Sequence, residues 1–123
     1  MSERYCIVIP HYRHDRQLAE FLPNLARAQL PALIVDDGSD PACLKRLRSL
    51  AAQYPWVELL TREHNGGKGA ATVTGLVGAS DQGFSHVILV DADGQHDPQA
   101  IVALHSASLQ APCLLYTSDA ADE

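Results

Sequence analysis

The sequence predicts an α/β domain, a mainly parallel sheet of about four strands with helices on both faces. Three observations carry this expectation. Four short apolar, β-branched runs alternate with four helix-compatible stretches, the pattern of βαβ units. The runs are continuously apolar rather than alternating, as strands covered on both faces require. Three of them stop abruptly, at Pro10, Asp36 and Asp91.

The elements follow in order. The first run is Tyr5-Cys6-Ile7-Val8-Ile9, ended by Pro10. Leu18, Phe21, Leu22 and Leu25 then fall at i, i+3, i+4 and i+7, one apolar helix face, and Pro23 within it predicts a kink or break. The second run, Ala32-Leu33-Ile34-Val35, is stopped by Asp36-Asp37-Gly38. Asp40 stands as N-cap and Pro41 as first residue of a second helix, with Leu44, Leu47 and Ala51 on one side. The third run, Trp56 to Leu60, alternates more and is expected nearer a sheet edge. A third helix starts near Lys68, with Val73, Leu76 and Val77 expected inward. The fourth run, Val87-Ile88-Leu89-Val90, ends at Asp91, and Asp97-Pro98 opens a fourth helix with Ile101 and Leu104 inward. Right-handed crossovers place all strands in one sheet, and ligands of such sheets bind at the carboxyl ends of the strands. Residues 10–15, 36–39 and 91–95 therefore gather at one rim, with the turn at 66–69 as a neighbour.

Composition narrows the function classes. A chain of 123 residues, 46% hydrophobic and 20% charged, fits one globular domain with its own core. No apolar run approaches the roughly 20 residues that span a bilayer, and Met1-Ser2-Glu3-Arg4 leads straight into a strand, so the expected compartment is the cytoplasm. Cys6, Cys43 and Cys113 show no CxxC spacing, which suggests neither a disulfide framework nor a zinc knuckle. The net charge of -6, with scattered Lys and Arg, argues against a nucleic-acid surface. Any bound phosphate must be held locally. The last residues, 113–123, read CLLYTSDAADE and look like the translation of a sequencing adapter; residues 1–112 are expected to be the natural domain, continuing beyond Pro112 in the native gene.

Three loops hold residues suited to chemistry. Asp91-Ala92-Asp93-Gly94-Gln95 brings two carboxylates and a carboxamide to a strand end, hard oxygen ligands that suit Mg²⁺ or Mn²⁺ with sites left open for diphosphate oxygens. A bare Asp-x-Asp is more often a solvated turn; its place at a strand's carboxyl end and its company favour the metal. Asp36-Asp37-Gly38-Ser39 ends the second strand, where a carboxylate can accept from a base N–H or a ribose hydroxyl, while Ser39 or Asp40 caps the next helix. Asn65-Gly66-Gly67-Lys68-Gly69 is a glycine turn entering a helix, and bare amides with one Lys there offer a diphosphate seat. A Walker A loop is excluded, since Arg62 stands where its leading glycine belongs and no Ser or Thr follows Lys68. The six histidines show no zinc spacing and read mostly as surface or loop residues, and Cys6 as core packing.

Together, Val8-Ile9-Pro10-His11-Tyr12, Val35-Asp36-Asp37-Gly38-Ser39, Asn65-Gly66-Gly67-Lys68-Gly69 and Asp91-Ala92-Asp93-Gly94-Gln95-His96 resemble the ordered motifs of family-2 glycosyltransferases. The resemblance covers residues 5–98 and implies the N-terminal, nucleotide-sugar-binding part of a GT-A, Rossmann-like domain. It implies a nucleoside-diphosphate sugar donor, a divalent cation (Mg²⁺ or Mn²⁺) and inversion at the anomeric carbon. Carried over, Pro10, Tyr12 and Asp36 line the base and ribose pocket, with Asp37 a second candidate. Lys68 approaches the diphosphate, Asp91 the ribose or metal, and Asp93 with Gln95 the metal. The Asp-Ala-Asp-Gly-Gln-His form is similar to that of polyprenyl-phosphate sugar synthases, whose acceptor is a membrane lipid phosphate, and of bacterial envelope transferases. Such a parent would work at the cytoplasmic face of a membrane. Where relatives commonly have Asn-Glu after the Tyr, this chain has Arg13-His14, which puts one donor contact in doubt or hands it to Asp15. The family's catalytic base belongs to the second half of the domain, so the 123-residue chain itself is expected not to turn over. A non-catalytic nucleotide-binding remnant and a nucleotidyltransferase are the alternatives. The latter would want a glycine-rich, Arg-containing loop after the first strand, and Pro10-His11-Tyr12-Arg13 is not that.

Overall fold

A computed structural model describes residues 4–13, 15–90 and 116–118. Its elements are β1 (Tyr5–His11), α1 (Asp15–Leu25) with a 3₁₀ turn at Ala26–Ala28, β2 (Ala32–Asp37), α2 (Pro41–Ala52), β3 (Val57–Arg62), α3 (Lys68–Asp81), β4 (His86–Val90) and β5 (Tyr116–Ser118). All pairings are parallel, in the order β3-β2-β1-β4-β5. The fold class is therefore the expected one, and β3 lies at an edge as its alternation predicts. The short β5 falls within the tail set aside above and pairs its backbone with β4 from Ile88 to Val90. The fourth helix anticipated after Asp97-Pro98 lies outside the described residues.

Two apolar layers flank the sheet. On one face Ile7, Ile9, Ile34 and Ile88 pack with Leu18, Phe21, Leu22 and Leu25 of α1 and Leu47 and Leu50 of α2. Pro23 does not break α1 midway; the α-helix ends two residues later, at Leu25, and tightens into the 3₁₀ turn. Asp40 caps α2 as expected, its Oδ2 accepting from the Cys43 amide at 3.4 Å, with Pro41 in the first turn.

On the other face Cys6, Val8, Leu33, Val35 and Val87 meet Ala71 and Ala79 of α3. Here an expectation holds for Leu76, which packs against this layer half-buried, and fails for the two valines beside it. Val73 and Val77 are 58% and 54% exposed, and the buried residues of α3 are Ala71, Gly75 and Ala79. The helix turns its smallest side chains to the sheet because it lies very close: a Cβ on Gly75 would overlap Val8 Cγ1 and stand 3.1 Å from Val35 Cγ2. No valine fits that gap.

Two strands run further than expected. β1 continues through Pro10 to His11. The Ile7 amide donates to Pro31 O on the β2 side, so alternation turns the amide-less nitrogen of Pro10 toward β4, where pairing with β1 is seen only as far as Val8–Leu89. β2 likewise includes Asp36 and Asp37, both about 2% exposed or less.

Candidate functional site

The two aspartates at the end of β2 are strand neighbours, so their side chains leave on opposite faces. Each meets a residue level with it on an adjacent strand. Asp36, in register with His11 of β1, lies on the face of α1 and α2; its Oδ1 is 2.9 Å from His11 Nδ1 and its Oδ2 accepts from the Ser39 amide at 3.0 Å. A carboxylate only accepts, so Nδ1 carries the imidazole hydrogen. Asp37, in register with Arg62 of β3, lies on the face of α3; its Oδ1 accepts from Arg62 Nε at 2.9 Å.

Asp37 also holds the glycine turn. The Gly66 amide donates to both of its oxygens, at 3.0 and 3.2 Å, and the Gly67 amide to Oδ2 at 2.7 Å. Arg62 extends the network, with Nη1 donating to Thr74 Oγ1 at 2.6 Å and that hydroxyl donating to Ala70 O at 3.1 Å. The backbone closes the same joint. Gly38 has φ +79°, and a Cβ there would stand 2.6 Å from Asn65 N and 2.8 Å from His64 C. The loop after β2 and the turn before α3 are thus one piece, and Lys68 is the first residue of the helix that leaves it. The sequence-based expectation of a diphosphate seat made from the turn's amides is corrected on this point: the amides of Gly66 and Gly67 are taken by an internal carboxylate.

A second joint ties the loop after β1 to the start of α2. Arg13 adopts φ 58° and its amide donates to Ser39 Oγ at 3.2 Å, while its guanidinium lies 5.0 Å from the Tyr12 ring centroid and 3.8 Å from Asp40. Tyr12 and Pro10 are half-buried and Lys68 is exposed at the same rim. β1, β2 and β4 all end there. Because β4 pairs with β1 on the side away from β2, and α3 covers the face opposite α1 and α2, the crossovers diverge on either side of β1. Such a switch point is where open parallel sheets bind ligands.

Of the site residues drawn from the sequence, Pro10, Tyr12, Asp36, Asp37 and Lys68 are brought to this rim, whereas Asp91, Asp93 and Gln95 lie outside the described residues. Among the described residues no group of His, Cys, Asp and Glu could hold a metal ion, and no helix is long and apolar enough to cross a membrane. Two histidines expected at the surface are buried, His11 in the pair above and His86 at 5% exposure, stacked on Tyr5 at 4.5 Å. His14, His96 and His105 lie outside the described residues. Sequence reasoning missed His11 and Arg62 as partners. The available signal was that an acid inside a buried strand needs a donor, and that each partner stands 25 residues from its aspartate. A cavity of about 300 Å³ between Cys6, Pro31, Trp56 and Phe84 lies at the opposite end of the strands.

The model of glycosyl transferase family 2 matches residues 6–111. This chain belongs to glycosyl transferase family 2. It is 31% identical to a UDP-N-acetylglucosamine–dolichyl-phosphate N-acetylglucosaminyltransferase of Methanococcus voltae, the match covering 77% of this chain and 43% of that protein. It is 30% identical to a polyprenol monophosphomannose synthase of Mycolicibacterium smegmatis, covering 86% of this chain and 41% of that one. Among solved structures, it resembles a mannosyltransferase from Pyrobaculum calidifontis in complex with GDP-Man and Mn²⁺, with a TM-score of 0.63 and 25% identity over 76% of this chain and 28% of that one. The family-2 chain thus spans less than half the length of the curated relatives it matches.

Proposed function

We propose that the intact protein carrying this domain transfers a sugar from a nucleoside-diphosphate donor to a polyprenyl-type lipid phosphate, inverting the anomeric carbon. The observation that carries this reading is the convergence of the ends of β1, β2 and β4 on one switch-point rim of a family-2 domain. The relatives' names support the acceptor class: two are polyprenyl- or dolichyl-phosphate glycosyltransferases and a third is an undecaprenyl-phosphate mannosyltransferase of Micrococcus luteus, 30% identical.

In this reading Pro10 and Tyr12 flank the base and Asp36 accepts from base or ribose, with its carboxylate oriented beforehand by His11 and the Ser39 amide. Lys68, at the positive end of α3, holds the diphosphate and offsets the charge that gathers on it as the sugar leaves. Asp91, Asp93 and Gln95 are the donor set for a divalent cation, two carboxylates and a carboxamide that suit Mg²⁺ or Mn²⁺. When bound, the cation neutralises the departing nucleoside diphosphate. The base that would deprotonate an acceptor hydroxyl is expected from the domain's second half, and a phosphate acceptor is already anionic. The work would take place at the cytoplasmic face of a membrane. Residues 113–123 are read as foreign to the natural domain at 1–112.

The test is transfer by the protein read from the full-length gene, with GDP-mannose and UDP-N-acetylglucosamine as donors, Mn²⁺ or Mg²⁺, and a polyprenyl phosphate acceptor. We expect metal-dependent turnover that Asp93→Ala lowers at least 100-fold. Donor binding without turnover under every donor and acceptor would overturn the transferase reading in favour of a nucleotide-binding domain.

A further inference from the structure

We infer that Asp37 is a positioning residue for the diphosphate: it acts through the glycine turn to set where Lys68 stands, and does not touch the donor. The inference rests on the role given to Lys68 above. Asp37 is 2% exposed, and its carboxylate accepts from Arg62 and from the amides of Gly66 and Gly67, four contacts between 2.7 and 3.2 Å. A carboxylate so occupied and so buried has little left to offer a ribose or base.

What it holds is the entry to α3. Gly67 is the N-cap residue of that helix, with φ 92° and no side-chain cap of its own; its amide is held most closely from another strand, by Asp37 at 2.7 Å, and secondarily by Asn65 Oδ1 at 3.1 Å. The anchor is stiff on both sides. Arg62 is fixed between Asp37 and Thr74, the latter already in the second turn of α3, and Gly38 leaves no room between its own loop and the backbone at His64 and Asn65. The amide nest that in many α/β proteins receives a ligand's phosphate here receives Asp37. Losing that carboxylate frees the turn, and the first residue to feel it is Lys68.

The closing experiment is a double-mutant cycle on the intact protein, with binding of GDP-mannose and UDP-N-acetylglucosamine in Mn²⁺ read by calorimetry for whichever donor binds. The variants are Asp37→Asn, Lys68→Ala and the pair, with hydrogen exchange at the Gly66 and Gly67 amides as an independent readout of the turn. We expect each single variant to weaken donor binding about tenfold, the pair to be no weaker than Lys68→Ala alone, and exchange at both glycines to rise in Asp37→Asn. Losses that multiply in the pair would overturn the inference, since Asp37 would then act on the donor independently of Lys68. Unchanged glycine exchange in Asp37→Asn would overturn it as well. If Lys68→Ala alone leaves binding intact, the role of Lys68 fails and this inference with it, a result distinct from multiplied losses. Should Asp37→Asn not fold, Arg62→Gln, which cuts the same network at a side chain 29% exposed, takes its place in the cycle.

Discussion

His11 Nδ1 lies 2.9 Å from Asp36 Oδ1, with the two side chains 0% and 2% exposed, joining the ends of β1 and β2 level with each other. An acid this deeply withdrawn depends on its donors. His11→Ala removes one of the two hydrogen bonds described to Asp36 and is expected to cost about 1–3 kcal/mol. Urea unfolding of the variant beside the parent checks it; a loss below about 0.5 kcal/mol would show that the Ser39 amide alone satisfies Asp36.

The close approach of α3 predicts opposite outcomes for two glycines of one helix. Gly75→Ala forces a methyl into Val8 and Val35 and is expected to destabilise by about 1–3 kcal/mol, less a few tenths returned by helix propensity. Gly69→Ala, where an added Cβ meets nothing within 4 Å, is expected to stabilise by about 0.4–1 kcal/mol. Thermal unfolding of the pair gives the signs directly.

Val77→Gln is expected to change stability by no more than about 0.5 kcal/mol, because the side chain is 54% exposed. A loss of 2 kcal/mol or more would mean that α3 is rotated from the face described.

Burial pushes the Cys6 thiol from 9.0 up to about 12; a backbone hydrogen bond from Leu33 opposes this and the Glu58 charge adds to it. Between those two values the native state keeps a proton that the unfolded chain has lost, so the contribution of Cys6 is full below about pH 9 and falls away as pH rises toward about 12. Iodoacetamide at pH 8 should therefore label Cys6 only after denaturant is added, with peptide mapping as the readout. Labelling at full native stability would contradict the burial.

The strands, the edge place of β3 and the Asp40-Pro41 start of α2 were legible because each depends on residues close in sequence. The inward face of α3 was not. Periodicity weighs large apolar residues and so selects Val73 and Val77 together with Leu76, whereas the short distance to Val8 and Val35 puts Ala71, Gly75 and Ala79 at the centre of the face and leaves Leu76 half-buried beside them. Asp36 and Asp37 were legible as rim residues from their place after an apolar run. Their division of labour was not, since it depends on His11 and Arg62, which reach them only once three strands are in register. The metal-site expectation at Asp91, Asp93 and Gln95 concerns residues outside those described.

The strand order also has a temporal side. Among the described strands β1 comes first in sequence and lies at the centre of the sheet, yet its pairing with β4 waits for the crossover that begins on β3, at an edge. Arg4 and Ser85, hydrogen-bonded beside that pairing, are 81 residues apart. Until His86–Val90 are made, then, one side of Tyr5–His11 stands as an open strand edge of mostly apolar residues, the kind of edge along which nascent copies pair with one another. The contact that forms the switch point of the finished sheet is the one that joins the described strands furthest apart in sequence.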